Sequence, residues 1–210
     1  MPALCGYVND TANMIPAATE LKLEQYLENF ERSDSTQLVV LTLPSLEGED
    51  LAETAIRVAT NWQLGQQGKD NGLLLLIAKQ ERKIRIEVGS GLEGGLTDLL
   101  AGRIIDLEIT PRLRQGNIPE GVIAGVLAMT KAIRGEYTGT GSSSKKKERG
   151  SLGWLTILLF LAPGLLPFGR RRRSMFWMGG GYGGGFGGGG GGGFSGGGGS
   201  FGGGGASGGW

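Results

Sequence analysis

Of 210 residues, 43 are glycine, one is cysteine and none is histidine. Those counts exclude an internal disulfide, a Ser-His-Asp or Cys-His nucleophile, and any zinc site built on histidine. A formal net charge of +1 argues against a generic polyanion binder, so no nucleic-acid partner is expected. More than half of the glycines follow Met178, which leaves residues 1–137 as the part able to fold, in one domain. A chain of that size buries roughly two-thirds of its unfolded surface, enough for a single core.

In chain order, Pro16 to Arg32 predicts a helix, because Leu23, Tyr26, Leu27 and Phe30 recur at the spacing of one helical face. Gln37 to Leu43 is β-branched and apolar and stops at Pro44, which predicts a buried strand. A second helix follows from Asp50, with Leu51, Ala55, Val58, Ala59 and Trp62 on one face. The polar loop GQQGKDNG then feeds Leu73 to Ala78, an uninterrupted apolar run of the kind buried on both sides of a sheet. Lys83 to Val88 alternates strictly, with Ile84, Ile86 and Val88 against Arg85 and Glu87, and predicts a half-buried antiparallel neighbour. After the glycine-rich loop GSGLEGG, Thr97 is placed to cap a helix carrying Leu100, Ile104 and Leu107, which Pro111 interrupts. A last helix starts with Pro119 in its first turn and carries Val122, Val126, Met129 and Ile133. This order predicts a three-layer α/β/α sandwich around a mixed central sheet.

Residues 138–151 read as a flexible linker ending in a basic cluster at Lys145, Lys146, Lys147 and Arg149. Leu152 to Phe168 holds 17 uncharged, mostly apolar residues, at the short end of what crosses a bilayer. A buried core helix or an interfacial segment are its alternatives. Flanking basic residues, including Arg170 to Arg173, favour one transmembrane helix and a lipid-bilayer partner, although Pro163 and Pro167 shorten its regular part. The two basic flanks nearly balance, and Glu148 tilts the expected topology toward a cytoplasmic tail. Met1 to Gly6 has no signal-peptide character, so the globular domain is expected in the cytoplasm unless an export signal precedes this chain, in which case it is extracytoplasmic. From Met178 to Trp210 isolated aromatics sit in a glycine matrix, which predicts a disordered tail.

If the two central strands form a tight antiparallel pair, the loops KDNG and GSGLEGG lie side by side at one sheet edge. That edge would gather Asp70, Asn71, Glu93 and Asp98, with Asp10 a further candidate. Such oxygen-rich side chains suit a hard cation, Ca²⁺ or Mg²⁺. The same residues also serve ordinary turns and helix starts, since in Asp-Asn-Gly the Asn and Gly accept positive φ while the Asp side chain caps a backbone N–H, and Asp98 complements a helix dipole. The GSGLEGG loop is not a phosphate-binding fingerprint, because it lacks the Lys-Ser/Thr ending of a P-loop and the GxGxxG spacing.

Four segments together, GYVNDTANMI, KDNGLLLLIA, RKIRIEVGSGLEGGLTD, and Ile104-Ile105 followed by Ile109-Thr110-Pro111-Arg112, resemble the TPM domain family, the YgcG-like proteins. The resemblance runs from Gly6 to about Arg134 in the family's order and spacing. It implies an α/β/α sandwich and an extracytoplasmic domain held by a transmembrane helix ahead of a glycine-rich tail. It also implies a functional role for Asp70, Asn71 and Gly72 as the family's DNG, for Gly89, Gly91, Leu92, Glu93, Thr97 and Asp98, and for Asp10 as an early acidic position. Two functions follow from it. One is a membrane-tethered module that binds a divalent cation and a membrane-protein partner; the other is a metal-dependent acid phosphatase acting on phosphomonoesters, with no catalytic residue singled out.

Overall fold

The computed structural model describes residues 1–138 and 201–210, which belong to one compact unit. The expected membrane span, nearly all of the expected linker and most of the glycine-rich tail lie outside the described residues. Among the described residues no helix is long and apolar enough to cross a membrane.

A five-stranded mixed sheet runs in the order β1-β2-β3-β4-β5. Strands β1 (Val8–Asp10), β2 (Gln37–Leu43) and β3 (Gly72–Ala78) are parallel, while β4 (Lys83–Val88) and β5 (Gly204–Gly209) are each antiparallel to their neighbours. All seven residues of β3 are buried, as its unbroken apolar sequence dictates. Alternate residues of β2 and β3 feed two cores. Val40, Leu73, Leu75 and Ile77 face one side, and Val39, Leu41, Leu74 and Leu76 face the other.

The first core is roofed by α1 (Ala17–Asp34) and by a chain of helices after β4. Helix α3 (Asp98–Ile104) passes through a π-helical turn (Ile105–Ile109) into α4 (Thr110–Arg114), and α5 (Ile118–Ile133) returns over the sheet. Pro111 therefore does not interrupt the helix as the sequence suggested. The wider turn ahead of it accommodates a residue that has no N–H to donate. The second core is covered by α2 (Leu51–Asn61), which is capped by the Asp50 carboxylate accepting from Ala52 N at 2.8 Å and Glu53 N at 3.0 Å. Helices thus lie on both faces, and the three-layer sandwich is present.

Two strands were not expected. Three-residue β1 is held through Val40 N, which donates to the Tyr7 carbonyl at 2.7 Å. The other is β5, drawn from the stretch read as disordered. Helix α3 packs on it, and Asp98 at the start of that helix accepts from Gly205 N. Covering by α2 and by the segment before β5 also explains why Arg85 and Glu87 on β4 are buried, where alternation placed them at the surface.

Candidate functional site

The two polar loops do meet. Gly89 N donates to Gly72 O at 2.9 Å, and Gly91 N donates to Asp70 O at 3.1 Å. A Cβ on Gly91 would overlap the Lys69 carbonyl oxygen, so only glycine lets the loops come this close. Asp70 itself sits at φ 49°, so the left-handed residue of this turn is the Asp, where the turn signal assigns positive φ to Asn71 and Gly72. Asn71 is 93% shielded from solvent and fully employed: its Oδ1 accepts from Gln66 N at 2.7 Å and its Nδ2 donates to the Ser35 carbonyl. Asn71 therefore fastens the loop before β3 to the end of α1.

Beyond this junction the glycine loop delivers Glu93, and α3 begins at Asp98 with Thr97 as its cap, Oγ1 accepting from Leu100 N at 3.3 Å. Glu93, Thr97 and Asp98 line one crevice, and its other wall is Gly202, Gly203 and Gly204 from the far end of the chain. Asp98 Oδ1 accepts from Gly205 N at 2.6 Å, and a Cβ on Gly204 would lie 2.6 Å from Glu93 Oε1. The crevice thus presents two carboxylates, a hydroxyl and a glycine backbone, all oxygen donors of the type hard cations take.

Asp10 lies elsewhere. The parallel register puts it level with Thr42 and Ile77, at the opposite end of the strands from Gly72, about 17 Å away at the usual rise per strand residue. There its carboxylate accepts from Met14 N at 2.8 Å, from Ile15 N at 2.7 Å and from the Thr42 hydroxyl, closing the turn between β1 and α1. Of the five residues singled out from sequence, Glu93 and Asp98 share a crevice and Asp70 belongs to the loop packed beside it. Asn71 and Asp10 are engaged in holding turns. Among the described residues no group of three or more His, Cys, Asp or Glu side chains converges as a metal cage.

Two charged residues missed from sequence lie next to this site. The Arg85 guanidinium donates through Nε at 2.9 Å and NH2 at 2.6 Å to Glu87 Oε2, with Glu87 fully buried. Arg85 also donates to Ser207 Oγ and to the Gly203 carbonyl, both at 3.2 Å. Burial pushes the Glu87 carboxyl above its ordinary range against the opposing pull of Arg85, and the nearby Asp98 charge adds to the rise. Only the opposite charges at a spacing of two, on one face of a strand, hinted at this pair.

The sheet order, the DNG loop and the Gly-Leu-Glu loop define a TPM-type α/β domain, and residues 8–132 match the TPM domain family. The chain belongs to that family. It is similar to the N-terminal domain of a protein from P. gingivalis solved by NMR, with 34% identity, a TM-score of 0.58, and 64% of this chain and 86% of that chain covered. It also shares its fold with the BA42 protein from the psychrophilic bacterium Bizionia argentinensis, at 19% identity and a TM-score of 0.52 over 60% of this chain and 86% of that one. No curated protein matches the chain.

Proposed function

We propose that this TPM-domain protein is a membrane-anchored assembly module that binds a divalent cation, Ca²⁺ or Mg²⁺, at the rim formed by Glu93, Thr97 and Asp98. The observation that carries this reading is the crevice itself, where two carboxylates and a hydroxyl face a glycine backbone at one end of the sheet. A second carboxylate oxygen of Asp98 and the Glu93 carboxylate supply charge, and Thr97 and backbone carbonyls supply neutral oxygens, the mixture a hard cation takes. Such an open, two-carboxylate rim fits a weak, exchangeable site used to hold a partner. Anchoring rests on Leu152 to Phe168 with its basic flanks, read here as the interfacial segment rather than a full crossing, because Gly202, Gly203 and Gly204 share the crevice with Glu93 and Asp98 and so need the same side of the bilayer; the partner is a membrane protein in that bilayer.

The test is a calcium and magnesium titration of the full chain in detergent by calorimetry. Binding is expected, with affinity at least tenfold weaker in a Glu93→Gln, Asp98→Asn double variant; no binding, or unchanged affinity in that variant, rejects the site. Turnover of an aryl phosphate by the same sample, dependent on the metal and lost with the same substitutions, would replace assembly with phosphatase chemistry.

A further inference from the structure

A separate cavity lies where the segment Ile109-Thr110-Pro111-Arg112 meets α5. Two glycines bring these elements together. A Cβ on Gly121 would overlap the Leu113 side chain, and one on Gly125 would come within 2.7 Å of Ile109 Cδ1, so α5 presses closely on α4 and the π-helical turn. Beside those glycines Ala124, Ala128 and the exposed Leu127 give the cavity an apolar wall. The π-helical turn sets the buried Glu108 in the same cavity, and such turns are frequent where a helix presents a functional side chain. At its far end α5 is closed by Gly135 at φ +74°. Gly135 N donates to Ala132 O at 2.9 Å and Glu136 N to Lys131 O at 2.7 Å, the pattern that reverses a chain after a helix. The reversal folds Tyr137 back, and its hydroxyl donates to Glu108 Oε1 at 3.2 Å. A cavity of roughly 270 Å³ is enclosed, with Arg112, Lys131 and Glu136 completing its lining. It stands ten residues along the helical chain from Asp98, about 15 Å at the rise of a helix, and is independent of the rim.

We propose that this cavity is a binding site for a free α-amino acid with an apolar side chain. Its volume falls at the lower end of the range for ligand sites, about 300–1,000 Å³, which selects a small molecule. Its charges select the kind. Two carboxylates, Glu108 and Glu136, and two cations, Arg112 and Lys131, line it, so a simple anion or a simple cation meets a like charge for every opposite one. A molecule carrying an ammonium and a carboxylate on neighbouring atoms satisfies both kinds. Glu108 Oε2 lies 3.5 Å from Arg112 Nη1, beyond the usual hydrogen-bond range, and a carboxylate accepts about four bonds, so an ammonium can join Tyr137 on Glu108. Arg112 turns Nη1 to the Glu108 carbonyl at 2.5 Å, and its side chain, 37% exposed, offers the rest of its planar fork to the carboxylate of the ligand. Lys131 adds a second positive charge, and Ala124, Leu127 and Ala128 receive the apolar side chain. Burial and the Glu108 charge push the Tyr137 hydroxyl up to about 12, so it stays a donor to Glu108 at neutral pH.

The experiment is a calorimetric titration of the full chain, in a maltoside detergent, with L-leucine and with three analogues that each lack one feature. Isocaproate has no ammonium, isopentylamine no carboxylate, and glycine no apolar side chain. Leucine is expected to bind, and each analogue to bind at least tenfold more weakly. Arg112→Met, which keeps the aliphatic stem and removes the fork, should weaken leucine by about tenfold or more. Ala124→Leu fills the cavity from its apolar wall while leaving every charge in place; it should abolish binding, and it decides the matter if Arg112→Met does not fold. No binding of leucine, or unchanged affinity in a folded Arg112→Met or Ala124→Leu chain, overturns the site. An analogue that binds as tightly as leucine overturns the assignment of its ligand. Calcium titration of the same samples reports separately on the rim, so failure of one reading is distinguishable from failure of the other.

Discussion

Strands β3 and β5 belong to one sheet and follow opposite rules. Leu73, Leu74, Leu75, Leu76 and Ile77 of β3 are fully buried, and each contributes by removing its own apolar surface from water, about 1.5–3 kcal/mol apiece. Gly204, Gly205, Gly208 and Gly209 of β5 have no side chain to bury, and the strand is admitted because nothing projects into the space that Glu93, Ile86 and Ile105 already fill. Its adhesion comes from main-chain pairing and from Phe201 and Trp210 at its ends. One strand founds the core, and the other, which adds only Ala206 and its flanking aromatics to it, is an addition whose loss is expected to leave that core folded.

Substitutions should divide along the same line. The largest effect belongs to Leu75→Ala at the centre of β3, which removes a fully buried side chain and should cost about 2–5 kcal/mol in chemical denaturation, unfolding the domain as a whole. A cost below about 1 kcal/mol would mean that β3 is not the organising strand. Next is Asn71→Ala, which leaves Gln66 N and the Ser35 carbonyl without their partner and should cost about 1–3 kcal/mol by the same measurement.

A smaller effect should come from β4, which lies between the two regimes. The Glu87 carboxyl is raised by burial, so the folded chain holds that proton more tightly than the unfolded chain does. Its contribution favours folding below the ordinary glutamate range and is lost as pH rises through the raised folded value. Stability of Glu87→Gln relative to wild type should therefore improve as pH rises across that window. Stability curves that stay parallel from pH 4 to 7 would contradict a buried, strained carboxyl. Asp34 works in the other direction: the bond from Arg134 lowers its carboxyl, so its stabilising contribution is present at neutral pH and is lost as pH falls.

Much of the founding half was legible in the sequence. The spans of β2 and β4 agree with the alternation and β-branching that predicted them, and the burial of β3 follows from an apolar run too short and too continuous for an amphipathic helix. The meeting of the DNG and GSGLEGG loops followed from a single inference, that β3 and β4 form a tight antiparallel pair. Asp10 was misplaced because its position depends on a parallel register between segments far apart in sequence, which no local pattern encodes. The burial of Arg85 and Glu87 depends on what covers β4, and alternation shows only which residues share a face. Strand β5 had no signal of its own. Glycine is depleted in strands, and its fitness here is a property of the groove, which exists only once β4, α3 and the π-helical turn have assembled.

The measurement that bears most directly on this division is amide hydrogen exchange along β4 in the full-length chain and in its Gly205→Val variant. A docked strand predicts that the β4 amides facing β5 are protected in the native chain and exchange quickly in the variant, while those of β3 remain protected in both. Equal protection of β4 in the two chains, or loss of β3 protection together with that of β4, would contradict the view of β5 as a separable strand held by a glycine-reading groove.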